Sequence, residues 1–157
     1  MPSAQDSQKV RYENKIEMWD HDPDSTNATV VTPDGGTTSR WMHMADFHHF
    51  AVAAMSSNLT GAGISKLEIV AADDASGTNT VVIKDSGAVT ADAVGDWLIE
   101  ECSVEEIAQI SADNGYSSAY VAGRITVANA ADEAAVMYLG YKPRHARDDL
   151  TPETTIS

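Results

Sequence analysis

The chain has 157 residues, with 10 lysines and arginines against 24 aspartates and glutamates, a formal net charge of −14 and 43% apolar residues. This length and apolar fraction predict one globular domain with its own hydrophobic core, and they do not fit wholesale disorder. A surface this acidic repels phosphate groups, so we expect neither nucleic acid nor a membrane surface as a partner.

The first 25 residues differ in composition from the rest. Residues 1–25 are polar and hold one apolar island, formed by Ile16, Met18 and Trp19. Such a segment cannot build a core, so we predict an extended N-terminal arm that clasps an adjacent subunit. The alternative is that the island pairs back onto its own domain. Asp20–Asp24 imitates the start of an EF-hand loop, but the glycine and glutamate that such a loop requires are missing, which leaves only a looser divalent-ion site as an alternative.

Residues 26–146 are predicted to form the domain, because they contain short strand-like runs joined by Gly, Ser, Asp and Asn turns. In residues 40–50 apolar side chains recur at a spacing of three, which indicates a short helix or turn before the first long strand. Residues 64–71 and 80–84 flank an acidic turn and predict a β-hairpin. Residues 147–157 are predicted to be a surface tail.

The second half of the domain has the clearest patterns. Ser103, followed by Glu106, predicts a capping box that opens a short helix through Ile110. Residues 120–127 alternate cleanly between the two faces of a strand. The predicted core is drawn from the best strand runs and comprises Trp97, Ile99, Val121, Ile125, Val136 and Tyr138. The sequence therefore predicts a mainly β fold, an antiparallel β-sandwich or jelly-roll-like domain with one or two short helices.

The chain offers no pattern typical of catalysis, a metal ion or a cofactor. His43, His48 and His49 lack the i, i+4 spacing of a helical metal site, so we interpret them as a surface or inter-subunit cluster. The carboxylate pairs 100–101 and 105–106 fit a solvated face. No G-x-S-x-G, G-x-G-x-x-G or P-loop motif occurs. We therefore expect a protein that is not an enzyme.

Cysteine usage and hydropathy bear on where the protein is made. Cys102 is the only cysteine, so no intrachain disulfide can form, and its apolar neighbours predict a core residue. No apolar run is long enough to cross a bilayer, and the polar first residues carry no signal pattern. We expect synthesis in a cytoplasm.

The order of elements resembles a group of small structural proteins encoded among the head genes of tailed bacteriophages. The pattern starts with a Met/Trp-flanked approach to a first long strand (WMHMADFHHFAVAAM) and a hairpin around an acidic turn (LEIVAADDASGTNTVVIK). A strand then enters a capped helix (DWLIEECSVEEIAQI), and a closing hairpin ends in the basic step Lys142-Pro143-Arg144. The similarity covers roughly residues 40–150. It implies a capsid decoration or cement protein, a β-sandwich module that sits on the outer shell of the virion and ties capsomers together.

The resemblance implies the major capsid protein as a partner. The apolar island of the arm and the short, many-edged β domain predict further copies of this chain as a second partner, in a dimer or trimer. For docking we predict a basic patch that gathers much of the scarce positive charge and comprises Lys142, Arg144, His145 and Arg147. Such a patch would orient an acidic protein toward an acidic partner surface. The alternative for these residues is a basic strand end in solvent.

Two other functions stay open. One is another virion component, such as a head–tail connector or a tail protein. The other is a carbohydrate-binding β-sandwich, in which aromatic side chains would form a sugar-stacking platform made of Trp41, Tyr116, Tyr120 and Tyr138.

Overall fold

Nine strands and one helix form the part of the chain that the computed structural model describes. That part comprises residues 15–21, 30–31, 41–45, 47–59, 61, 63–129 and 131–143, with residues 15–21, 30–31 and 143 described through their backbone. The strands are β1 (Lys15–His21), β2 (Val30–Val31), β3 (Met42–His43), β4 (Phe47–Asn58), β5 (Ile64–Ala72), β6 (Val81–Asp85), β7 (Trp97–Ser103), β8 (Tyr120–Val127) and β9 (Glu133–Pro143). Helix α1 (Val104–Asp113) follows β7 directly.

The strands form two antiparallel sheets. The four-stranded sheet has the order β1-β9-β4-β7, and the other has the order β2-β8-β5-β6, with β3 also paired to β8. The two sheets pack against each other as a sandwich. The predicted mainly β, antiparallel sandwich is therefore confirmed. Its sequence basis is the two-residue alternation of β4, β8 and β9, which covers one face of each strand with apolar side chains.

The core lies where the inward faces of the two sheets meet. Val121, Ile125, Val136 and Tyr138 are fully buried there, as predicted. Gly123 makes the close approach possible, because a Cβ atom at this position would lie less than 3 Å from the side chains of Val52 and Tyr138 on the opposite sheet. The Tyr138 hydroxyl donates a hydrogen bond to the Gly123 carbonyl oxygen at 3.2 Å, which joins the two layers.

Helix α1 begins with the predicted capping box. The Ser103 hydroxyl accepts from the Glu106 backbone N–H at 3.2 Å, and the Glu106 carboxylate accepts from the Ser103 N–H at 2.9 Å. The ion pair with Lys84 on β6, at 2.8 Å, and these cap hydrogen bonds lower the pKa of Glu106. The helix continues to Asp113, beyond the predicted end at Ile110.

Of the short helix or turn predicted in residues 40–50, the structure shows a turn and no helix among the described residues. Strand β3 occupies Met42–His43, and β4 begins at Phe47 after a tight turn in which the Phe47 N–H donates to the Met44 carbonyl oxygen at 3.3 Å. The turn changes the direction of the chain between two strands. It is this change, and not helical pitch, that buries apolar side chains three residues apart.

The β5–β6 hairpin is confirmed, with Ala71 opposite Val81 next to the acidic turn. Asp74 holds that turn, because its carboxylate accepts from the backbone N–H groups of Ser76 and Thr78 and from the Thr78 hydroxyl at 2.8, 3.1 and 2.7 Å. Hydrogen bonds from Thr78 and Ser76 lower the pKa of Asp74. The turn is thus specified by local side-chain chemistry.

A buried carboxylate joins two loops at one end of the sandwich. Asp132 is fully buried and accepts hydrogen bonds from the backbone N–H groups of Gly61 at 2.6 Å, Gly63 at 3.0 Å and Asn129 at 3.1 Å. Gly61 and Gly63 lie in the β4–β5 connection, whereas Asn129 lies in the β8–β9 connection. Asp132 therefore ties the two connections together.

Strand β1 lies within the segment predicted to be an arm. Its backbone pairs with β9, with Ile16 opposite Leu139, Met18 opposite Met137 and Trp19 opposite Val136. This pairing is the alternative in which the apolar island returns to its own domain. The clasp on a neighbouring subunit stays a prediction, and most of residues 1–25 lie outside the described part.

Candidate interaction surface

The outward side of the four-stranded sheet carries an unusual concentration of apolar side chains. In β4 the residues facing the core are buried, and the intervening residues Ala51, Ala53 and Met55 face away from it. Strand pairing places Trp97 and Ile99 of β7 opposite Met55 and Ala53. On the other side of β4, strand β9 places Ala135, Met137 and Leu139 opposite Met55, Ala53 and Ala51. We call these eight residues the apolar face.

The apolar face is open to solvent. The exposed fractions of its large side chains are 65% for Trp97, 58% for Ile99, 43% for Met55 and 40% for Met137. Single exposed apolar residues are common, but contiguous patches on a monomer usually mark an interaction site. The arrangement therefore indicates a surface for contact with another macromolecule.

The assignment of Trp97 and Ile99 to the core is wrong. Strand β7 has apolar residues in both phases of its alternation, and its inward phase is set by the pairing of Cys102 with Phe50, both of which are buried. Leu98 therefore packs against the core while its two neighbours face solvent. The choice between the phases depends on β4, which lies far away in the sequence.

The other sheet has a charged outer side. Arg124 of β8 lies opposite Glu68 of β5, and their Nε and Oε2 atoms are 2.7 Å apart. The Lys66 ammonium group lies 3.2 Å from Asp85 of β6, and this contact together with the charge of Glu68 raises the pKa of Lys66. The outer side of this sheet is thus occupied by paired charges, of which Glu68 is buried, so it differs from the apolar face in character.

One end of the apolar face carries a polar cluster. His49 stacks on Tyr141 with 5.2 Å between ring centroids, and its Nδ1 atom lies 3.7 Å from a Glu101 carboxylate oxygen. The Tyr141 hydroxyl donates to Glu101. Desolvation, followed by this hydrogen bond, raises the pKa of Tyr141 to about 12. The Lys142 ammonium group lies 3.2 Å from His49 Nε2 and adds a positive charge to this end.

The opposite end of the apolar face is acidic. Glu133 lies at the start of β9, and its carboxylate accepts from the Asn58 side-chain amide at 3.1 Å. Asp96 directly precedes Trp97 at the start of β7. The apolar face thus lies between an end that holds Lys142 together with Glu101 and an end that holds Glu133 and Asp96.

Of the predicted docking patch, the structure describes the side chain of Lys142. This residue is exposed and has a left-handed backbone with a φ of 52°, so its side chain leaves the regular strand direction. Arg144, His145 and Arg147 lie outside the described residues, and their docking role stays a prediction. The Asp20–Asp24 segment is described only through the backbone of Asp20 and His21 in β1.

The three histidines do not converge on one point. His43 packs edge-on against Tyr120 at 4.8 Å between centroids, His48 Nδ1 lies 3.9 Å from Glu105, and His49 belongs to the cluster beside Tyr141. Among the described residues, no group of three or more His, Cys, Asp or Glu could hold a metal ion. In the same part of the chain, no helix has the length and apolar character to span a membrane.

The four aromatic residues considered for a sugar platform are dispersed. Trp41 and Tyr138 are buried, whereas Tyr116 is exposed. A shared stacking surface from these residues is therefore ruled out. Trp97, which the sequence pattern predicts in the core, is instead an aromatic ring exposed on a sheet face.

Cys102 is a core residue, as predicted, and its chemistry should follow from that position. It is buried, and burial raises the pKa of its thiol to about 12. Because the thiolate is the reactive species, we expect almost no alkylation by iodoacetamide at pH 8 in the folded protein and full alkylation in denaturant. Mass spectrometry of both samples measures this. Rapid labelling of the folded protein would contradict it.

No protein-family model and no curated protein matches this chain. Among solved structures, it is similar to an adhesin domain of Lys-gingipain from Porphyromonas gingivalis (9% identity, TM-score 0.37, covering 64% of this chain and 60% of that one). It is also similar to VP2 of infectious bursal disease virus (9% identity, TM-score 0.40, covering 82% of this chain and 32% of that one). A third is the Clostridium thermocellum xylanase 10B with its carbohydrate-binding module (13% identity, TM-score 0.36, covering 88% and 27%). At these identities the likeness concerns the β-sandwich fold.

Proposed function

We propose that this chain is a non-enzymatic structural protein of a virion, which decorates the outer shell of a tailed-bacteriophage head and stabilises it. The observation that carries the proposal is the apolar face, a solvent-exposed surface of the kind that assembling proteins bury. The order of sequence elements resembles that of phage head proteins, and this resemblance is the reason for proposing a phage head as the place of assembly. A decoration protein needs a rigid scaffold and contact surfaces, and the sandwich supplies both.

The proposed assembly uses two surfaces with separate tasks. The basic positions that follow Lys142, namely Arg144, His145 and Arg147, meet the acidic surface of the major capsid protein, where their charge selects the docking orientation. The apolar face contributes binding energy through burial of Trp97, Ile99 and Met137, the types of side chain that dominate interface energetics. The N-terminal arm, through Ile16, Met18 and Trp19, contacts a neighbouring subunit.

The test is binding to heads assembled from the capsid protein of the same genome without this chain. We expect the purified protein to co-sediment with such heads and to raise the temperature at which they rupture. Ile99→Asp should reduce occupancy at least about tenfold, because it places a charge in a surface that assembly buries. The matched control is Val82→Asp, since Val82 is also exposed but lies on β6 of the other sheet.

Two results would contradict the proposal. One is a folded wild-type protein that does not bind heads at any concentration. The other is full occupancy with Ile99→Asp, as judged from cryo-electron microscopy. Density at the head–tail joint in place of the shell would support the connector alternative instead.

A carbohydrate-binding module remains the second candidate because the Trp97 ring is exposed on a sheet face. Sugar binding also needs hydrogen-bonding groups beside the stacked ring. The strand neighbours of Trp97 on that face are Met55 and, one step on, Ala53 and Ile99, which offer none. A glycan array decides between the two, and a specific signal lost in Trp97→Ala would favour the carbohydrate function.

A further inference from the structure

We infer that the apolar face binds a second copy of this chain, with a two-fold axis that runs across the strands. The inference rests on the proposed function for its setting, since it names the partner of the same face. It goes further by specifying which surface pairs, in which orientation and with which complementary charges.

The first reason is the charge of the chain itself. With a formal net charge of −14, two copies repel each other wherever their acidic surfaces meet. The eight outward positions of the apolar face carry no charge. The nearest carboxylates on these strands lie at its margins, with Glu101 opposite Ala51 at one end and Glu133 beyond the other. Self-association is therefore least opposed at this face, and burial of its side chains provides the driving force.

The second reason is that the two ends of the face are complementary to each other. Lys142 and His49 lie at one end, beside a Glu101 carboxylate that accepts from the Tyr141 hydroxyl of the same chain. Glu133 and Asp96 lie at the other end. Lys66, Lys84 and Arg124 are already paired with carboxylates of their own chain, whereas the Lys142 ammonium group lies next to an imidazole. The Lys142 ammonium group can therefore form an ion pair with a carboxylate of another molecule.

A two-fold axis across the strands satisfies both ends at once. Such an axis reverses the strand direction between the copies, so the Lys142 end of each copy lies over the Glu133 end of the other. The apolar rows between these ends then face each other, with the strands of the two copies nearly aligned, as in face-to-face sheet packing. A contact of this kind is self-complementary, which is the property of a two-fold interface.

The first experiment measures self-association of the purified protein by sedimentation velocity, from low to several hundred micromolar. We expect a monomer–dimer equilibrium. Trp97→Ser should weaken the dimer about 30-fold or more, as expected for a buried aromatic hot spot. Met137→Thr should weaken it too, which provides an independent variant if Trp97→Ser lowers the melting temperature. Val82→Thr, an exposed position on the other sheet, should leave the dimer unchanged.

The second experiment is a charge swap that depends on the orientation. Lys142→Glu and Glu133→Lys should each weaken the dimer about five- to tenfold, because each places like charges opposite each other. The double variant restores opposite charges in both symmetry-related pairs, so it should recover near wild-type association. A contact with any other orientation does not bring residues 133 and 142 together and shows no such rescue.

Four results would overturn the inference: a monomer at every concentration, a closed trimer or ring, equal weakening by Val82→Thr and Trp97→Ser, or a double swap weaker than either single variant. These outcomes are distinct from failure of the proposed function. A monomer that still binds heads refutes the inferred dimer and leaves the proposed function standing. A dimer of the stated orientation that does not bind heads refutes the proposed function and leaves the inferred dimer standing.

Discussion

Replacing Asp132 with alanine is expected to lower the free energy of unfolding by about 3 kcal/mol, because one buried and two partly buried backbone N–H groups would lose their acceptor. For a chain of this length the melting temperature should fall by roughly 10 °C. Urea unfolding followed by circular dichroism gives the free energy, and calorimetry gives the melting temperature.

Two further variants separate the hydrogen bonds of Asp132 from its volume. Asp132→Asn keeps the shape but replaces one acceptor oxygen with an N–H donor that faces other donors, so it should retain less than half of the lost stability. Glu133→Ala removes the adjacent carboxylate, which binds only the exposed Asn58 amide among the contacts that the structure shows, and should change stability by about 0.5 kcal/mol or less. Wild-type stability in Asp132→Asn would show that the carboxylate is not the link between the two loops.

The second large effect is expected for Ile125→Asp, which should prevent folding. Ile125 is fully buried in β8, so the variant loses about 1.5–3 kcal/mol of apolar burial and adds several kcal/mol for an unpaired buried carboxylate. The sum is comparable to the whole stability of a small domain, roughly 5–15 kcal/mol. We expect insoluble or unfolded protein by circular dichroism and solubility assays.

The neighbouring residue supplies the control for this substitution. Thr126 points to the other side of β8 and pairs in register with Lys66, so Thr126→Asp places the same carboxylate on a surface that already holds a cation. It should leave the protein folded. If Ile125→Asp is soluble and melts within a few degrees of the wild type, the assignment of β8 to the core is refuted.

Local chemistry explains which predictions from the sequence hold. The capping box at Ser103 and Glu106 needs partners only three residues apart, and the acidic turn is closed by the hydrogen bonds of Asp74 within four residues. The alternation in residues 120–127 is unambiguous because one phase is apolar throughout or glycine. The geometry of these features is determined by residues that are close in the sequence. The strands and the sandwich that they form could therefore be predicted.

The features that the sequence did not predict depend on contacts between residues that lie far apart in the chain. In β7 both phases offer apolar side chains, and pairing with β4 decides that Trp97 and Ile99 face solvent. The apolar face cannot be predicted from any one stretch of sequence, because it forms only when three strands are aligned. Asp132 gave no signal beyond an ordinary turn residue, because two of its donors, Gly61 and Gly63, lie about 70 residues earlier in the chain.

The position of β9 governs how this chain reaches its folded state. Strand β9 lies between β1 and β4, although it is synthesised after every other described strand. Strands β5, β6 and β8 can pair early, whereas β1 has no partner in its sheet until β9 leaves the ribosome. Pairing across such sequence separations is slow. Until β9 emerges, β4 can pair with β7 along one edge, and its other edge stays open. Lower growth temperature or a holding chaperone should therefore raise the soluble yield more than a stronger promoter does.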